Sequence, residues 1–232
     1  MDILNKDFWL FNTPIAHRGL ADLNGYVENT LPAFINSMQK GYAIETDLRL
    51  TKNGSIVCFH DGDLKRLAGR EENIIDLTDE EIRQVTLVNG QKICFLQEFL
   101  SHINGTVPLD IELKDHQPLE LVDKAVEAFK DYKGEFVFKS FDPRLVKRTR
   151  KIAPNIVCGQ LIGGSNKHPK LNKIKWNIIN ASTKAQFVSH YIDTLVSPYK
   201  NTIVWTIRNK EQLEKAKKLG VNIIFEDENI IK

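Results

Sequence analysis

The sequence predicts a (β/α)8 TIM barrel, an α/β fold, with a small insertion of a hairpin and a short helix after strand 2. Three observations predict it. Eight short apolar runs can be counted along the 232 residues. Most of them are separated by segments with helical periodicity, as in β-α-β units of a parallel sheet. A chain of this length with 42% hydrophobic residues can bury a large core, so we expect one domain over residues 1–232.

The elements of the expected barrel follow one another along the chain. The eight candidate strands cover residues 14–17, 43–48, 107–113, 135–140, 156–161, 176–180, 202–206 and 222–226. Helix-start signals precede three of the intervening segments and stand at Thr30, at Asp142 with Pro143, and at Asn209. Gly41 and Gly220 supply C-terminal stops for two of the helices.

The interval from residue 51 to residue 95 does not fit this alternation. Asn53 and Gly54 lie between two alternating runs and predict a β-hairpin above the barrel mouth, and residues 78–85 have a helical pattern. Apolar residues are too sparse in this interval for an independent core. We therefore interpret residues 51–95 as an insertion after strand 2 and not as a separate domain.

Composition excludes several classes of protein. Lys and Arg number 32 against 30 Asp and Glu, so no global field attracts a polyanion and we expect no nucleic-acid partner. Cys58, Cys94 and Cys158 are widely spaced, which predicts reduced structural thiols. The N-terminus lacks a secretory signal and no apolar run reaches the roughly 18 residues that cross a bilayer, so we expect a cytoplasmic protein without stable membrane insertion.

Three carboxylates mark the carboxyl ends of neighbouring candidate strands. Glu45 and Asp47 are two residues apart and point to the same side of a strand, and Glu112 has the matching position on the next strand. Active sites of (β/α)8 barrels lie at that end, where these acids would repel one another without a metal ion or a proton. Such acids can be ordinary surface charges, but their position favours one divalent cation, Mg²⁺ or Ca²⁺.

Two histidines complete the candidate site. His17 ends the first strand and His60 ends the hairpin run, and cleavage of a phosphodiester needs one group that takes a proton and another that gives one. A single histidine beside an apolar run is more often structural, so the pairing carries the interpretation. Arg18 offers a planar fork for phosphate oxygens. Asp61 either orients His60 or begins the next turn.

Other polar residues leave more than one interpretation open. Lys114 lies on the same side as Glu112 and either neutralises the carboxylates or touches phosphate. Asp110 would point into the barrel below the metal, and we leave it out of the site. Trp205 either walls the mouth or packs between sheet and helix. The basic run of Lys167, His168, Lys170, Lys173 and Lys175 favours a solvated face over a rim that steers phosphate.

Short motifs follow one another over nearly the whole chain, from about Ile15 to Asp227. They are His17-Arg18-Gly19, Glu28-Asn29-Thr30, Glu45-x-Asp47, residues 51–61 with His60-Asp61, residues 77–85, Glu112-x-Lys114, Ser140-Phe141 and residues 204–209. Single motifs of this kind are weak signals, but the ordered set is specific. In this order they resemble the glycerophosphodiester phosphodiesterase family.

The resemblance implies a barrel of the phospholipase-C-like phosphodiesterase type and hydrolysis of deacylated phospholipids to sn-glycerol 3-phosphate and an alcohol. By motif position it implies the metal ligands Glu45, Asp47 and Glu112, the acid–base pair His17 and His60, the phosphate contacts Arg18 and Lys114, and a supporting acid, Glu28. The chain departs from the family pattern near its C-terminus, where Asn222, Ile223, Glu226 and Asn229 replace the usual types. This departure concerns the last strand and not the metal or histidine positions.

Two alternatives to a water-soluble glycerophosphodiester substrate stay open. The same site could cleave a lysophospholipid, as a lysophospholipase D does, or the barrel could bind a phosphorylated ligand without turning it over. The sequence shows no obvious amphipathic helix for membrane docking and retains every presumed catalytic residue, which favours the first interpretation. The head group, the identity of the cation and the oligomeric state are not fixed by the sequence.

Overall fold

A computed structural model of the protein describes residues 4–21, 25–163 and 169–232. The strands in these ranges are β1 (Ile15–Ala16), β2 (Ala43–Leu50), β3 (Ile56–Cys58), β4 (Cys94–Phe95), β5 (Leu109–Leu113), β6 (Phe136–Ser140), β7 (Cys158–Ile162), β8 (Phe187–Tyr191), β9 (Thr202–Ile207) and β10 (Asn222–Phe225). The α-helices are α1 (Leu31–Gln39), α2 (Lys65–Ala68), α3 (Asp79–Gln84), α4 (Leu96–Ile103), α5 (Glu120–Ala128), α6 (Pro143–Ile152), α7 (Pro169–Thr183), α8 (Lys210–Leu219) and α9 (Glu228–Ile231). Short 3₁₀ helices cover Trp9–Phe11, Ile74–Asp76, Val88–Gly90 and Ile192–Thr194.

Eight of the strands close into a parallel barrel. Their order is β1, β2, β5, β6, β7, β8, β9 and β10, and β1 pairs in parallel with both β2 and β10. Outer helices connect most neighbouring strands, so the predicted (β/α)8 barrel is confirmed. Seven of the eight predicted barrel strands are present, with ends within two residues of those expected.

The predicted strand over residues 176–180 is wrong. Residues 176–180 lie inside helix α7, and the barrel strand in this part of the chain is β8. Ile174 and Ile178 are four residues apart, which is a helical spacing that a short apolar window hides. Strand β8 was missed because Ser189 and His190 interrupt its apolar run, although both are buried in the barrel.

The predicted basic run begins before α7. Its residues Lys167 and His168 lie outside the described residues, whereas Lys175 is exposed on α7. The Lys175 Nζ atom lies 5.1 Å from the centroid of the Trp176 ring. Among the described residues, no helix has both the length and the apolar composition that crossing a bilayer requires.

The N-terminal segment packs against the end of the barrel where the strands begin. Trp9 and Leu10 are buried in one cluster with Ile15, Val137 and Ile203, which lie near the starts of three strands. The Asn222 side-chain amide donates to the carbonyl oxygens of Leu10 and Thr13 at 2.9 and 2.7 Å. Because this end is filled by side chains, polar groups at the opposite end form the accessible face of the barrel.

The segment between β2 and α4 contains the predicted hairpin. Strand β3 pairs antiparallel with the end of β2, and β4 adds to β3. Helix α3 begins after Thr78, whose side chain and that of Glu81 form a reciprocal capping box. Phe59, Leu64 and Ile82 are buried with nine other apolar residues in one cluster, which also includes Val27 from outside this segment. That residues 51–95 are an insertion within one domain stays a prediction.

Candidate active site

The three predicted carboxylates lie together at the mouth of the barrel. Parallel pairing of β2 with β5 places Asp47 opposite Glu112 and Glu45 opposite Asp110, so side chains of the same parity share one side of the sheet. Glu45, Asp47 and Glu112 are all buried, and one oxygen atom from each lies within 4.8 Å of the others. Such an arrangement of oxygen atoms can hold a divalent cation.

Two buried lysines neutralise this group of acids. The Lys114 Nζ atom lies 2.7 Å from Glu112 Oε1 and 3.2 Å from Asp47 Oδ1. Burial alone would lower the pKa of Lys114, but these carboxylates outweigh burial and raise it. Lys139 was missed by sequence reasoning: its Nζ atom lies 2.7 Å from Asp110 Oδ2 and 3.2 Å from Glu45 Oε1. The sequence signal that could have indicated Lys139 is the presence of a lysine inside the otherwise apolar run of residues 135–140.

The acids of this group have different proton affinities. Burial alone would raise the pKa of Asp47, but Lys114 and Arg18 hold it well below its usual range. Burial raises the pKa of Glu112 to about 7, and it raises that of Asp110 to about 6. Burial thus disfavours the charged form of Glu112, and a bound cation would favour it.

The donor chemistry of the three acids fits a hard cation. Glu45, Asp47 and Glu112 offer only carboxylate oxygen atoms, which suit Mg²⁺ or Ca²⁺ better than zinc. Asn29 orients one of them: its Nδ2 atom donates to Asp47 Oδ2 at 2.9 Å, while its Oδ1 atom accepts from Thr46 Oγ1 at 2.8 Å. Asn29 is buried and was named only as part of a motif, so this orienting contact was not predicted.

His17 follows β1 and is held by a residue at the other end of the chain. Its Nδ1 atom lies 2.8 Å from Glu226 Oε1, and its Nε2 atom lies 4.0 Å from Glu45 Oε2. Arg208 donates to both oxygen atoms of Glu226 at 2.6 and 2.7 Å. Burial alone would raise the pKa of Glu226, but the hydrogen bonds from His17 and Arg208 lower it to about 2. The sequence departure at Glu226 thus contributes a partner for His17.

The turn after His17 points backbone groups at the carboxylates. Arg18 and Gly19 both have positive φ values, 55° and 72°, and the Arg18 N–H donates to Glu45 Oε2 at 2.9 Å. A Cβ atom on residue 19 would lie 2.9 Å from the carbonyl carbon of Ala33, so only glycine fits there without displacement of α1.

The Arg18 guanidinium lies between two acids. Its Nη1 atom donates to Glu28 Oε1 at 2.7 Å, and its Nε atom lies 3.4 Å from Asp47 Oδ2. Arg66 also donates to Glu28, with Nη1 and Nη2 at 2.9 and 2.7 Å. Glu28 is therefore shared by two guanidinium groups, and Arg66 was not named by sequence reasoning.

His60 follows β3 in the segment after β2. Its Nδ1 atom lies 2.7 Å from Asp61 Oδ1, and its carbonyl oxygen accepts from Arg49 Nε and Nη2 at 2.9 and 2.7 Å. Burial lowers the pKa of His60, although Asp47 opposes the shift. His60 and Lys114 line a common cavity of about 610 Å³ whose wall also includes Arg66 and Phe141. Arg49 is two residues beyond Asp47 on β2 and was not predicted.

Trp205 lies among aromatic side chains. Its ring centroid is 5.6 Å from that of Phe141 and 5.2 Å from that of Tyr191, and its Nε1 atom donates to the Ser189 carbonyl oxygen at 3.2 Å. Phe141 follows β6 and Tyr191 ends β8, and Trp205 also packs against the buried cluster that contains Ile15 and Ile203. That Trp205 walls the mouth stays a prediction. Direct contacts connect most of the other predicted residues in two groups, one around the carboxylates and Arg18 and one around His60.

Comparisons with known proteins show which family the chain is similar to. The Glycerophosphoryl diester phosphodiesterase family profile matches residues 17–230. A glycerophosphodiester phosphodiesterase of Caldanaerobacter subterraneus subsp. tengcongensis is 30% identical over 234 residues, which cover 92% of this chain and 93% of that protein. A lysophospholipase D of Mus musculus is 31% identical over 135 residues, which cover 52% of this chain and 42% of that protein.

A solved structure has the same fold. An Oleispira antarctica phosphodiesterase in complex with the product sn-glycerol-3-phosphate superposes with a TM-score of 0.81, at 20% identity, over 95% of each chain. The profile match extends over most of the sequence, and the sequence relative aligns over almost its full length. The chain is therefore an enzyme of the glycerophosphoryl diester phosphodiesterase family.

Proposed function

We propose that this protein hydrolyses glycerophosphodiesters such as glycerophosphocholine and glycerophosphoethanolamine to sn-glycerol 3-phosphate and an alcohol, with one divalent cation, Mg²⁺ or Ca²⁺. One observation carries the proposal: three buried carboxylates lie within 4.8 Å of one another beside His17 and Arg18. The Oleispira antarctica relative, whose structure contains sn-glycerol-3-phosphate, supports a ligand of this class.

The charged residues would bind the phosphoryl group. Glu45, Asp47 and Glu112 would hold the cation, which when bound supplies Lewis-acid stabilisation of charge on phosphoryl oxygen atoms. Arg18 would donate to another oxygen atom through its planar fork, and Lys114 would add a point charge beside it. Burial of the three acids and of Lys114 strengthens these electrostatic interactions because little water competes for them.

The two histidines would transfer protons as a pair. Each has its Nδ1 atom against a carboxylate, Glu226 for His17 and Asp61 for His60, at 2.8 and 2.7 Å. A carboxylate at Nδ1 fixes the orientation of the ring and directs Nε2 toward the reacting group. One histidine would activate the nucleophile, and the other would protonate the leaving alkoxide.

An activity assay tests the proposal. Glycerophosphocholine and glycerophosphoethanolamine are incubated with the protein, with and without EDTA, and release of sn-glycerol 3-phosphate is measured. We expect release that EDTA abolishes and that Mg²⁺ or Ca²⁺ restores. Release that persists in EDTA contradicts the proposed cation, and no release from any substrate favours a barrel that only binds phosphorylated ligands.

Histidine variants test the proposed acid–base pair. His17→Ala and His60→Ala should each lower kcat by about 10²-fold or more, since general acid–base catalysis contributes that much. His102→Ala is the matched control because His102 is exposed on α4 and contacts the Glu98 carbonyl oxygen. An unchanged kcat in either active-site variant would remove that histidine from the mechanism.

A lysophospholipid is the second candidate substrate, because the Mus musculus protein that aligns with about half of this chain is a lysophospholipase D. Lysophosphatidylcholine is therefore assayed in parallel with glycerophosphocholine, and choline release is measured from both. Turnover of the lysophospholipid alone would favour this candidate. The cytoplasmic location expected from the N-terminal sequence stays a prediction, which fractionation of the host cells would test.

A further inference from the structure

A continuous set of ion pairs connects His60 with Arg18 through one arginine on α2. The Arg66 Nε atom donates to Asp61 Oδ2 at 2.6 Å, and its Nη1 and Nη2 atoms donate to Glu28 at 2.9 and 2.7 Å. Asp61 in turn contacts the His60 ring, and Glu28 accepts from Arg18. The contacts thus run from His60 to Arg18 by way of a single guanidinium.

These contacts join two parts of the fold that are distant in sequence. His60 and Asp61 follow β3 in the segment after β2, whereas Arg18 and Glu28 belong to the connection between β1 and α1. The described residues of this connection include a second link to the same segment, from Gln91 Nε2 to the Gly25 carbonyl oxygen at 2.7 Å. Arg66 is the link that contacts both Asp61, the partner of His60, and Glu28, the partner of Arg18.

We propose that Arg66 is a positioning residue that sets the distance and orientation of His60 relative to Arg18. This inference rests on the proposed function, since it assigns proton transfer to His60 and a phosphate contact to Arg18. Arg66 reaches the reacting residues only through Asp61 and Glu28, so it acts on their geometry and not on the substrate.

The guanidinium is suited to this position and an ammonium is not. Arg66 uses three nitrogen atoms in one plane for two carboxylates, and this fork holds both in a fixed relative orientation. Lysine presents a point charge without such a fork. Because the side chain of Arg66 is 46% exposed, its ion pairs should contribute little to stability. Its loss should therefore affect catalysis much more than folding.

Misplacement of a reacting group by about 1 Å can cost about 10²-fold in rate. We therefore expect Arg66→Ala to lower kcat for glycerophosphocholine by between about 10-fold and 10²-fold, with a thermal midpoint close to that of the wild type. Arg66→Lys should recover only a small part of the loss. Arg70→Ala is the matched control, since Arg70 lies in the same segment and pairs with the exposed Glu72.

Two further measurements separate positioning from a general structural effect. In Arg66→Ala the vacated, partly exposed site should admit guanidinium ion, and millimolar guanidinium should restore kcat while urea, which has the same shape without the charge, should not. In the Glu28→Gln/Asp61→Asn background, replacement of Arg66 by Ala should cause little additional loss, because both of its partners have been altered.

The outcomes distinguish this inference from the proposed function. A wild-type protein that hydrolyses no glycerophosphodiester overturns the proposed function and the role of Arg66 with it. An active wild type with unchanged kcat in Arg66→Ala overturns the role of Arg66 alone. Equal rescue of kcat by guanidinium and urea would also overturn the role of Arg66. So would a loss of kcat on replacing Arg66 by Ala that is as large in the Glu28→Gln/Asp61→Asn background as in the wild type. If Arg66→Ala melts early, Arg66→Lys is compared with Arg70→Lys at a temperature where both are folded, and equal kcat in these two overturns the role.

Discussion

Glu226 shows how one residue can tie the last barrel strand to the first. It follows β10, receives two hydrogen bonds from Arg208, and lies 2.8 Å from the Nδ1 atom of His17. These partners stabilise the charged carboxylate and lower the pKa of Glu226 to about 2. In the folded protein Glu226 therefore stays ionised at a pH where the same group in an unfolded chain is protonated.

The sign of the resulting pH dependence follows from that lowered pKa. A group whose pKa is lower in the folded state stabilises the fold above its unfolded pKa, here 4.5, and loses this contribution as the pH falls toward about 2. We predict that Glu226→Gln lowers the free energy of unfolding at pH 7 and that its difference from the wild type shrinks at pH 3. Urea unfolding at the two pH values measures this.

A matched control for this comparison is Glu211→Gln, which alters an exposed acid in the first turn of α8. The control should be nearly neutral at both pH values, because surface substitutions usually change stability by less than about 0.5 kcal/mol. A stability difference for Glu226→Gln that stays constant from pH 7 to pH 3 would show that its ion pairs do not stabilise the fold.

At the scale of elements, the register between strands decides which residues meet. Parallel pairing places Asp47 opposite Glu112, and Glu112 opposite Lys139 on β6. Charged side chains of equal parity thus enter the barrel from three adjacent strands. A sequence pattern gives the parity of a residue within one strand but not the offset between strands, which is set by how the barrel closes.

The difference between parity within a strand and register between strands explains which features the sequence could predict. The barrel, most strand positions and the motif residues near strand ends could be predicted because each depends on local periodicity or contiguous motifs. Lys139 and Glu226 could not, because their contacts join strands or loops that are distant in the chain. The contact of Arg49 with the His60 carbonyl oxygen depends on how the segment after β2 folds back. The error at residues 176–180 has a different cause: one short apolar run fits both a helix face and a strand.

Lys139 allows a test of the buried charges in the barrel. We predict that Lys139→Met lowers the free energy of unfolding by about 3–5 kcal/mol, since Asp110 and Glu45 would lose their buried counter-charge. Denaturant unfolding at pH 7 measures the change. The double variant Lys139→Met/Asp110→Asn should recover part of the loss because one uncompensated charge is removed with its partner.

Lys147→Met serves as the reference, because Lys147 is exposed on α6 and its loss should change stability by less than about 0.5 kcal/mol. Similar losses for Lys139→Met and Lys147→Met would mean that the ammonium of Lys139 does not balance the acids around it. A double variant less stable than Lys139→Met would contradict the pairing with Asp110.

At the scale of the whole molecule, apolar and polar groups are separated between the two ends of the barrel. The N-terminal segment packs with apolar side chains at the strand starts, while the charged residues gather at the strand ends. The chain as a whole carries a formal net charge of only +2, so it has no excess negative charge that would collect cations nonspecifically. Any tight binding of a divalent cation should therefore be local to the mouth.

Thermal unfolding tests that expectation without an activity assay. We predict that Mg²⁺ or Ca²⁺ raises the Tm of the wild type and that EDTA reverses the rise, because a ligand that binds only the folded state stabilises it by about 2.7 kcal/mol at a concentration of 100 Kd. Glu112→Gln should lose most of this rise, since it removes one of three converging carboxylates. Glu127→Gln, at an exposed acid on α5, should retain the full rise. A cation-dependent Tm that is the same in Glu112→Gln and Glu127→Gln would place the binding site elsewhere, and a wild-type Tm that ignores both cations would leave the carboxylates neutralised by Lys114 and Lys139 alone.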